Sequence, residues 1–233
     1  MVLEHERVVE IILEEATSES EAILTIDERT VRLTLDEVEG GFFGTSDGDT
    51  YGLYIMTASE NTIAATGLLD ILSADDVARE TFAVVVAQIT NPADLNGSAT
   101  YAGAAYLDVG FPDGTIGFLS GELSLSADFE RQMVGGVIDI LEDSRLDQDS
   151  NLISSADASF EIRFDAAEIS SSAFSGGIDL NAADLGMDEF HGGAYGGVFA
   201  GHGGNAVTGT LAGSGTGVDG EITFVGGFSG DAQ

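Results

Sequence analysis

The apolar and polar positions of the carboxyl-terminal half alternate with a period of two. Leu123-Ser-Leu-Ser-Ala-Asp-Phe129 does so without a slip, and Phe160-Glu-Ile-Arg-Phe-Asp165 repeats the pattern. This is the signature of a strand with one buried face. Further strand segments are Thr100–Val109, Gly135–Leu141, Ser172–Leu180, Gly193–Gly201, Ala206–Gly213 and Gly220–Phe228, with glycine-rich or acidic turns between them. Phe111-Pro-Asp-Gly-Thr-Ile116 carries a Pro-Asp-Gly turn signal and predicts the first hairpin of this set. Eight short strands at regular spacing predict an antiparallel barrel or sandwich. In Tyr195-Gly-Gly-Val-Phe199 the two rings share a face with Gly197 between them, as the tapering wall of a small barrel requires. An eight-stranded barrel lined by Phe160, Ile162, Phe164, Phe199, Ile222 and Phe224 is expected to be filled by side chains.

The amino-terminal part predicts a smaller sheet. Ala22–Asp27 and Thr30–Asp36 read as a hairpin across Glu28 and Arg29, and Thr50–Met56 and Thr81–Gln88 as two more strands. Leu68–Glu80 reads as a short helix capped by Ser73, with Asp75 and Asp76 in its first turn. Val8–Ala16 has a helix-like apolar spacing but is rich in β-branched residues. Glycine marks the division of the chain: six of the 32 glycines precede residue 96. The turn-rich Thr90–Gly97, which contains Pro92, predicts the boundary. The expected organisation is an N-terminal helix or disordered segment (1–19), a handle-like β subdomain (20–92) and an eight-stranded barrel (93–233), all-β as a fold class.

Composition narrows the function. The chain has 233 residues with seven basic against 41 acidic, a net charge of −34, and every basic residue is Arg. A surface of that sign repels phosphate backbones and anionic headgroups, so neither nucleic acid nor a membrane surface is an expected partner. Without Lys there is no P-loop and no Schiff base; without Cys there is no disulfide, thiol nucleophile or thiolate metal site. The first residues lack the basic and apolar blocks of a secretory signal, and no apolar run is long enough for a membrane helix.

The order of the segments resembles the β-barrel domain of transferrin-binding protein B and its bacterial surface-lipoprotein relatives. The similar stretch spans about residues 91–230 and opens on Thr100-Tyr-Ala-Gly103. It continues through Gly121–Phe129, Val134-Gly-Gly-Val-Ile138 and Phe174-Ser-Gly-Gly-Ile178. It closes on Gly192–Gly201, Asn205–Gly213 and Phe224-Val-Gly-Gly-Phe-Ser-Gly230. The resemblance implies a barrel preceded by a handle, displayed on the outer surface of a Gram-negative cell or secreted. It also implies a lipid anchor in the native form and capture of a protein, iron-carrier or haem-related ligand through loops. Two other readings are a structural or adhesive surface module and a lipocalin-like small-molecule carrier.

Candidate site residues fall into three groups. Phe42, Phe43, Tyr51 and Tyr54 surround turn glycines and Ser46-Asp-Gly-Asp49, and can anchor a partner from a polar-flanked loop. His191 and His202 flank the strand of Tyr195; if the two approached at one rim they could hold haem iron or a divalent metal with Tyr195 or Glu189. Asp143, Asp147 and Asp149, in an acidic loop, offer oxygen ligands for calcium. Asp188-Glu-Phe-His191 supplies acid–base components, but no nucleophile elbow accompanies them, so no enzyme and no resident cofactor are expected.

Overall fold

The computed structural model describes residues 9–12, 21–26, 29–36, 41–57, 64–73, 79–147 and 151–233. The chain divides into two compact units, residues 1–55 with 67–84, and residues 56–66 with 85–233.

Seven strands form an antiparallel meander in sequence order: β1 (Val9–Ile12), β2 (Glu21–Ile26), β3 (Arg29–Asp36), β4 (Gly41–Ser46), β5 (Asp49–Thr57), β6 (Ala64–Leu72) and β7 (Arg79–Ala87). Two of these replace other expectations. Val9–Ile12 is a strand within the segment expected to be helical or disordered, in keeping with its β-branched residues. Leu68–Leu72 and Arg79–Glu80 are also strand, where a helix over 68–80 was expected; its proposed first-turn acids, Asp75 and Asp76, lie outside the described residues. An apolar run as short as Leu68–Leu72 fits either period, and the pairing of neighbouring strands decides between them.

The expected β2–β3 hairpin is present, but Arg29, expected in its turn, pairs with Ile26 as the first residue of β3; residues 27 and 28 lie outside the described residues. β4 and β5 meet in a two-residue turn, Asp47 at φ 53° and Gly48 at φ 92°. Two successive positive φ angles suit the right-handed twist of a hairpin, and Asp-Gly adopts them at low cost. The core of this sheet gathers Val31, Leu33, Tyr51, Leu53, Leu69 and Val84.

The remaining strands are β8 (Ser98–Gly110), β9 (Ile116–Asp128), β10 (Met133–Leu146), β11 (Leu152–Ser170), β12 (Ala173–Leu180), β13 (Glu189–Ala200), β14 (Ala206–Gly217) and β15 (Gly220–Ala232). They close into a barrel, and β15 pairs with β8 from Thr223↔Gly110 to Ala232↔Tyr101. All eight expected strands are present. The predicted first hairpin is there too: Phe111 N donates to Thr115 O at 3.1 Å, Asp113 Oδ1 accepts from Thr115 N at 2.9 Å, and Gly114 takes φ 82°.

The barrel is filled. Its interior holds Leu107, Leu123, Leu125, Ile138, Ile162 and Phe164 among many others, with a series of touching rings. Tyr101 and Phe129 meet Phe199 (centroids 5.7 and 5.0 Å), Phe199 meets Phe174 (5.1 Å), and Phe174 meets Tyr195 (6.0 Å). Tyr195 stacks on Phe164 (4.3 Å, 9°), which meets Phe228 (5.2 Å). The glycines explain how so many rings fit. Directly across the ladder from each of several rings stands a glycine: Gly197 opposite Phe174, Gly176 opposite Tyr195, Gly209 opposite Phe228 and Gly213 opposite Phe224. A Cβ at Gly197 would lie 2.6 Å from the Phe174 ring, and one at Gly213 2.5 Å from that of Phe224. Each of these four rings thus lies over a position on the neighbouring strand that has no side chain to displace it.

Buried polar groups on the outer wall are paired. Thr208 Oγ1 donates to Ala65 O (3.0 Å), Thr66 Oγ1 to Gly209 O (3.2 Å) and Thr90 Oγ1 to Gly201 O (2.7 Å). Ala64, Ala200 and Ala206 pack beside them, with Ala87.

Candidate functional site

Phe42 and Phe43, expected on a loop, lie on β4, and Tyr51 and Tyr54 lie on β5, where a strand over 50–56 was expected; the alternation of the strands separates the four into two pairs. Tyr51 is buried in the sheet core, and Phe42 packs against that core beside its register partner Leu53. Phe43 and Tyr54 lie on the other face and meet edge to face at 5.6 Å and 85°. Gly52 and Gly41 make room for them: a Cβ there would come to 3.1 Å from Phe43 and 3.0 Å from Tyr54. Half of the expected patch is therefore core, and Phe43 with the 36% exposed Tyr54 forms its surface part.

The histidines do not converge. His191 is near the start of β13 and His202 just past its end, at the head of a short 3₁₀ turn, His202–Gly204. Eleven residues of extended chain span about 36 Å, so the pair cannot share an ion. His191 Nε2 lies 2.9 Å from Thr216 Oγ1. Tyr195 is an interior residue, 2% exposed, whose hydroxyl donates to Asp165 O at 2.6 Å. Burial and the nearby Asp165 charge push its pKa up to about 12, so it stays protonated at any ordinary pH. Tyr101 behaves likewise: its hydroxyl donates to Gly204 O at 2.6 Å and burial raises its pKa.

The first four residues of the acidic stretch expected as a loop, Asp143–Leu146, are strand. Asp143 sits in β10 opposite Ala156 and Leu119. Asp147 accepts bonds from Asn151 N (2.8 Å) and Asn151 Nδ2 (3.1 Å) in the turn that follows. Asp149 lies outside the described residues. Four residues of extended chain put Asp143 and Asp147 about 13 Å apart. Among the described residues no group of three or more His, Asp or Glu is placed to hold a metal ion.

Sequence reasoning passed over a different feature. On the outer wall Glu122, Asp139 and Glu161 stand side by side across β9, β10 and β11, a direct cross-strand row of like charges. Beside it Arg163 Nη2 bonds Glu161 Oε2 at 2.7 Å and faces Asp179 of β12. A groove of about 730 Å³ runs here, and Asp184, Leu141 and Phe160 also line it. The signal was the polar half of each alternating strand, but only the register between strands reveals the row.

The site and fold together define a filled antiparallel barrel, with a separate small sheet and an acidic outer wall. Solved structures of the same architecture are transferrin-binding protein B chains. A mutant form of this vaccine antigen from Haemophilus parasuis is 14% identical, with a TM-score of 0.58 over 97% of this chain and 45% of that one. Intact Ap-TbpB, with its N and C lobes, is 14% identical with a TM-score of 0.53, over 91% of this chain and 42% of that one. The isotype 1 protein from serogroup B Neisseria meningitidis is 17% identical with a TM-score of 0.51, over 91% of this chain and 39% of that one. The chain thus spans less than half the length of these structures, and at such identities the likeness is one of fold. No protein-family profile and no curated protein sequence matches the chain.

Proposed function

We propose that the chain is a non-enzymatic, protein-binding module of the bacterial cell surface, in which a rigid filled barrel carries recognition elements on its outside. The observation that carries this reading is the shared architecture with transferrin-binding protein B over more than nine-tenths of the chain. An iron carrier or another host protein is accordingly the first class of ligand to test.

The interior supports a scaffold role more than a carrier role. The series of rings from Tyr101 to Phe228 occupies the space a lipocalin-like ligand would need. Carboxylates on the outer wall, such as Asp139 and Glu161, suit water rather than lipid. The acidity favours partners with basic surfaces, captured faster at low salt than at high salt.

The test is surface-plasmon binding of the full chain to iron-loaded transferrin and, in parallel, affinity capture from the native medium. The proposal expects a stoichiometric, salt-sensitive protein complex. Saturable uptake of a small apolar ligand, or self-association without a partner, would favour the carrier or the adhesive module instead.

A further inference from the structure

β11 is longer than its neighbour on one side. β12 accompanies it only to Leu180, which pairs with Ile162; the chain then leaves the barrel wall at Asn181 for the 3₁₀ turn Ala182–Leu185. From Phe160 back to Leu152, β11 is laddered to β10 alone, from Phe160↔Ile140 to Leu152↔Leu146. No other strand pairs with that stretch among the described residues. Residues 152–157 are exposed without alternation, so neither face of this stretch is covered. Such an edge presents alternate N–H and C=O groups outward, a template for a further strand.

The usual protections of an edge are sparse here. Residues 152–160 contain no Pro, Lys or Arg and a single charge, Asp157, while Leu152 (63% exposed) and Ile153 (57%) face solvent. Where β12 departs, the acidic groove begins, and Ser159 and Phe160 of β11 line it beside Asp139, Glu161, Asp179 and Asp184. Asp157 itself stands opposite Glu142. A strand entering in line with β12 would therefore find backbone partners along β11 and carboxylates at its side.

We infer that the open edge of β11, residues 152–160, is a docking site for an extended segment of a partner protein bearing Arg or Lys, which adds as a strand beside β11 with its basic side chains over the carboxylates of the adjoining groove. The inference rests on the protein-binding reading above and gives it a location. Backbone hydrogen bonds supply the sequence-tolerant affinity of such a complex, and the side chains flanking the ladder supply its selectivity. A second copy of the chain is a poorer occupant. Two such edges docked together would oppose like charges around Asp157, and seven Arg against 41 acids leave few cations to offset them.

The test uses the full chain and a ten-residue synthetic peptide alternating Val or Thr with Arg, with a twin carrying Glu in place of Arg. Residue-resolved hydrogen exchange should show slowed amides within Ile153–Ser159 on saturation with the Arg peptide and no change with the Glu peptide. Asp157→Arg and Asp179→Asn should each weaken the Arg peptide several-fold. Of Ser155→Pro and Ala156→Pro, the one whose N–H faces outward should abolish protection and leave the barrel folded. Protection elsewhere, none at all, or equal protection by both peptides would overturn the inference. So would a concentration-dependent dimer whose edge amides are already slow without peptide. If these outcomes occur while a partner protein still binds the chain, the location falls and the binding reading stands.

Discussion

The two β-units solve the problem of sheet edges in opposite ways. The meander β1–β7 is an open sheet, with a first and a last strand. The barrel joins its last strand to its first, and β8 pairs with both β9 and β15. Closure removes most of the edges but crowds the interior, and the crowding is relieved by glycine across the ladder from Phe174, Tyr195, Phe224 and Phe228. The open sheet needs no such arrangement, and its residues up to 95 hold only six glycines. Glycine content thus follows curvature and interior crowding more than turn frequency. Closure is incomplete where β12 is short: β11 outruns it over residues 152–160, and β13 outruns it over residues 189–193.

The comparison sharpens first at the rings. Phe228 is fully buried against Phe164 and over Gly209. Phe228→Ala should cost about 3–5 kcal/mol of barrel stability in denaturant titration. Leu53→Ala, in the core of the open sheet, should cost about 2–4 kcal/mol, read as a shift in a transition that leaves the aromatic signature of the barrel intact. Equal loss of both signals would mean that the units do not melt separately. Gly209→Val tests the crowding argument, since its Cβ would meet both the Phe228 ring and Gly196 O. It should destabilise by about 1–3 kcal/mol, whereas Gly→Val at a strand position with an open neighbour should not.

Smaller effects concern the buried phenol. Tyr195→Phe removes one hydrogen bond to Asp165 O and should cost about 1 kcal/mol. The folded-state pKa of Tyr195 lies above its ordinary value of 10.0, at about 12. Its contribution is therefore fully present below pH 10 and is lost as pH rises through 12. The alkaline loss of stability should be shallower in Tyr195→Phe. The smallest effect is expected at Asp231, whose carboxyl pKa is raised by burial. A raised carboxyl pKa favours the protonated form in the folded chain, so Asp231→Asn should be neutral or stabilising at pH 7, by no more than about 0.5 kcal/mol.

The barrel was legible in the sequence because each of its strands buries one face and exposes the other, so the period-two signal reports the fold directly. Leu123–Phe129 and Phe160–Asp165 are the clearest cases. The same logic explains the misreadings. The acidic-loop reading over 143–151 hid the end of β10, which runs to Leu146, and over residues 152–157 both faces are exposed, so no alternation marked the start of β11. Leu68–Leu72 is nearly all apolar and gave no period to choose between helix and strand. His191 near the start of β13 and His202 just past its end looked close in sequence, but an extended strand carries such neighbours apart. Of the site, the aromatic residues were visible by composition, whereas the face each one takes depends on the β4–β5 register. The row Glu122–Asp139–Glu161 exists only through the register of three consecutive strands, which the sequence of each strand does not state.

Residue-resolved hydrogen exchange of the free chain tests the central claim most directly. A closed, filled barrel with an open edge on β11 predicts slow amides along the β15–β8 seam and at Ile162–Phe164, where β11 pairs with both neighbours. It predicts fast exchange at alternate amides between Leu152 and Ser159. Fast exchange along the seam, or uniformly slow exchange throughout β11, would contradict it.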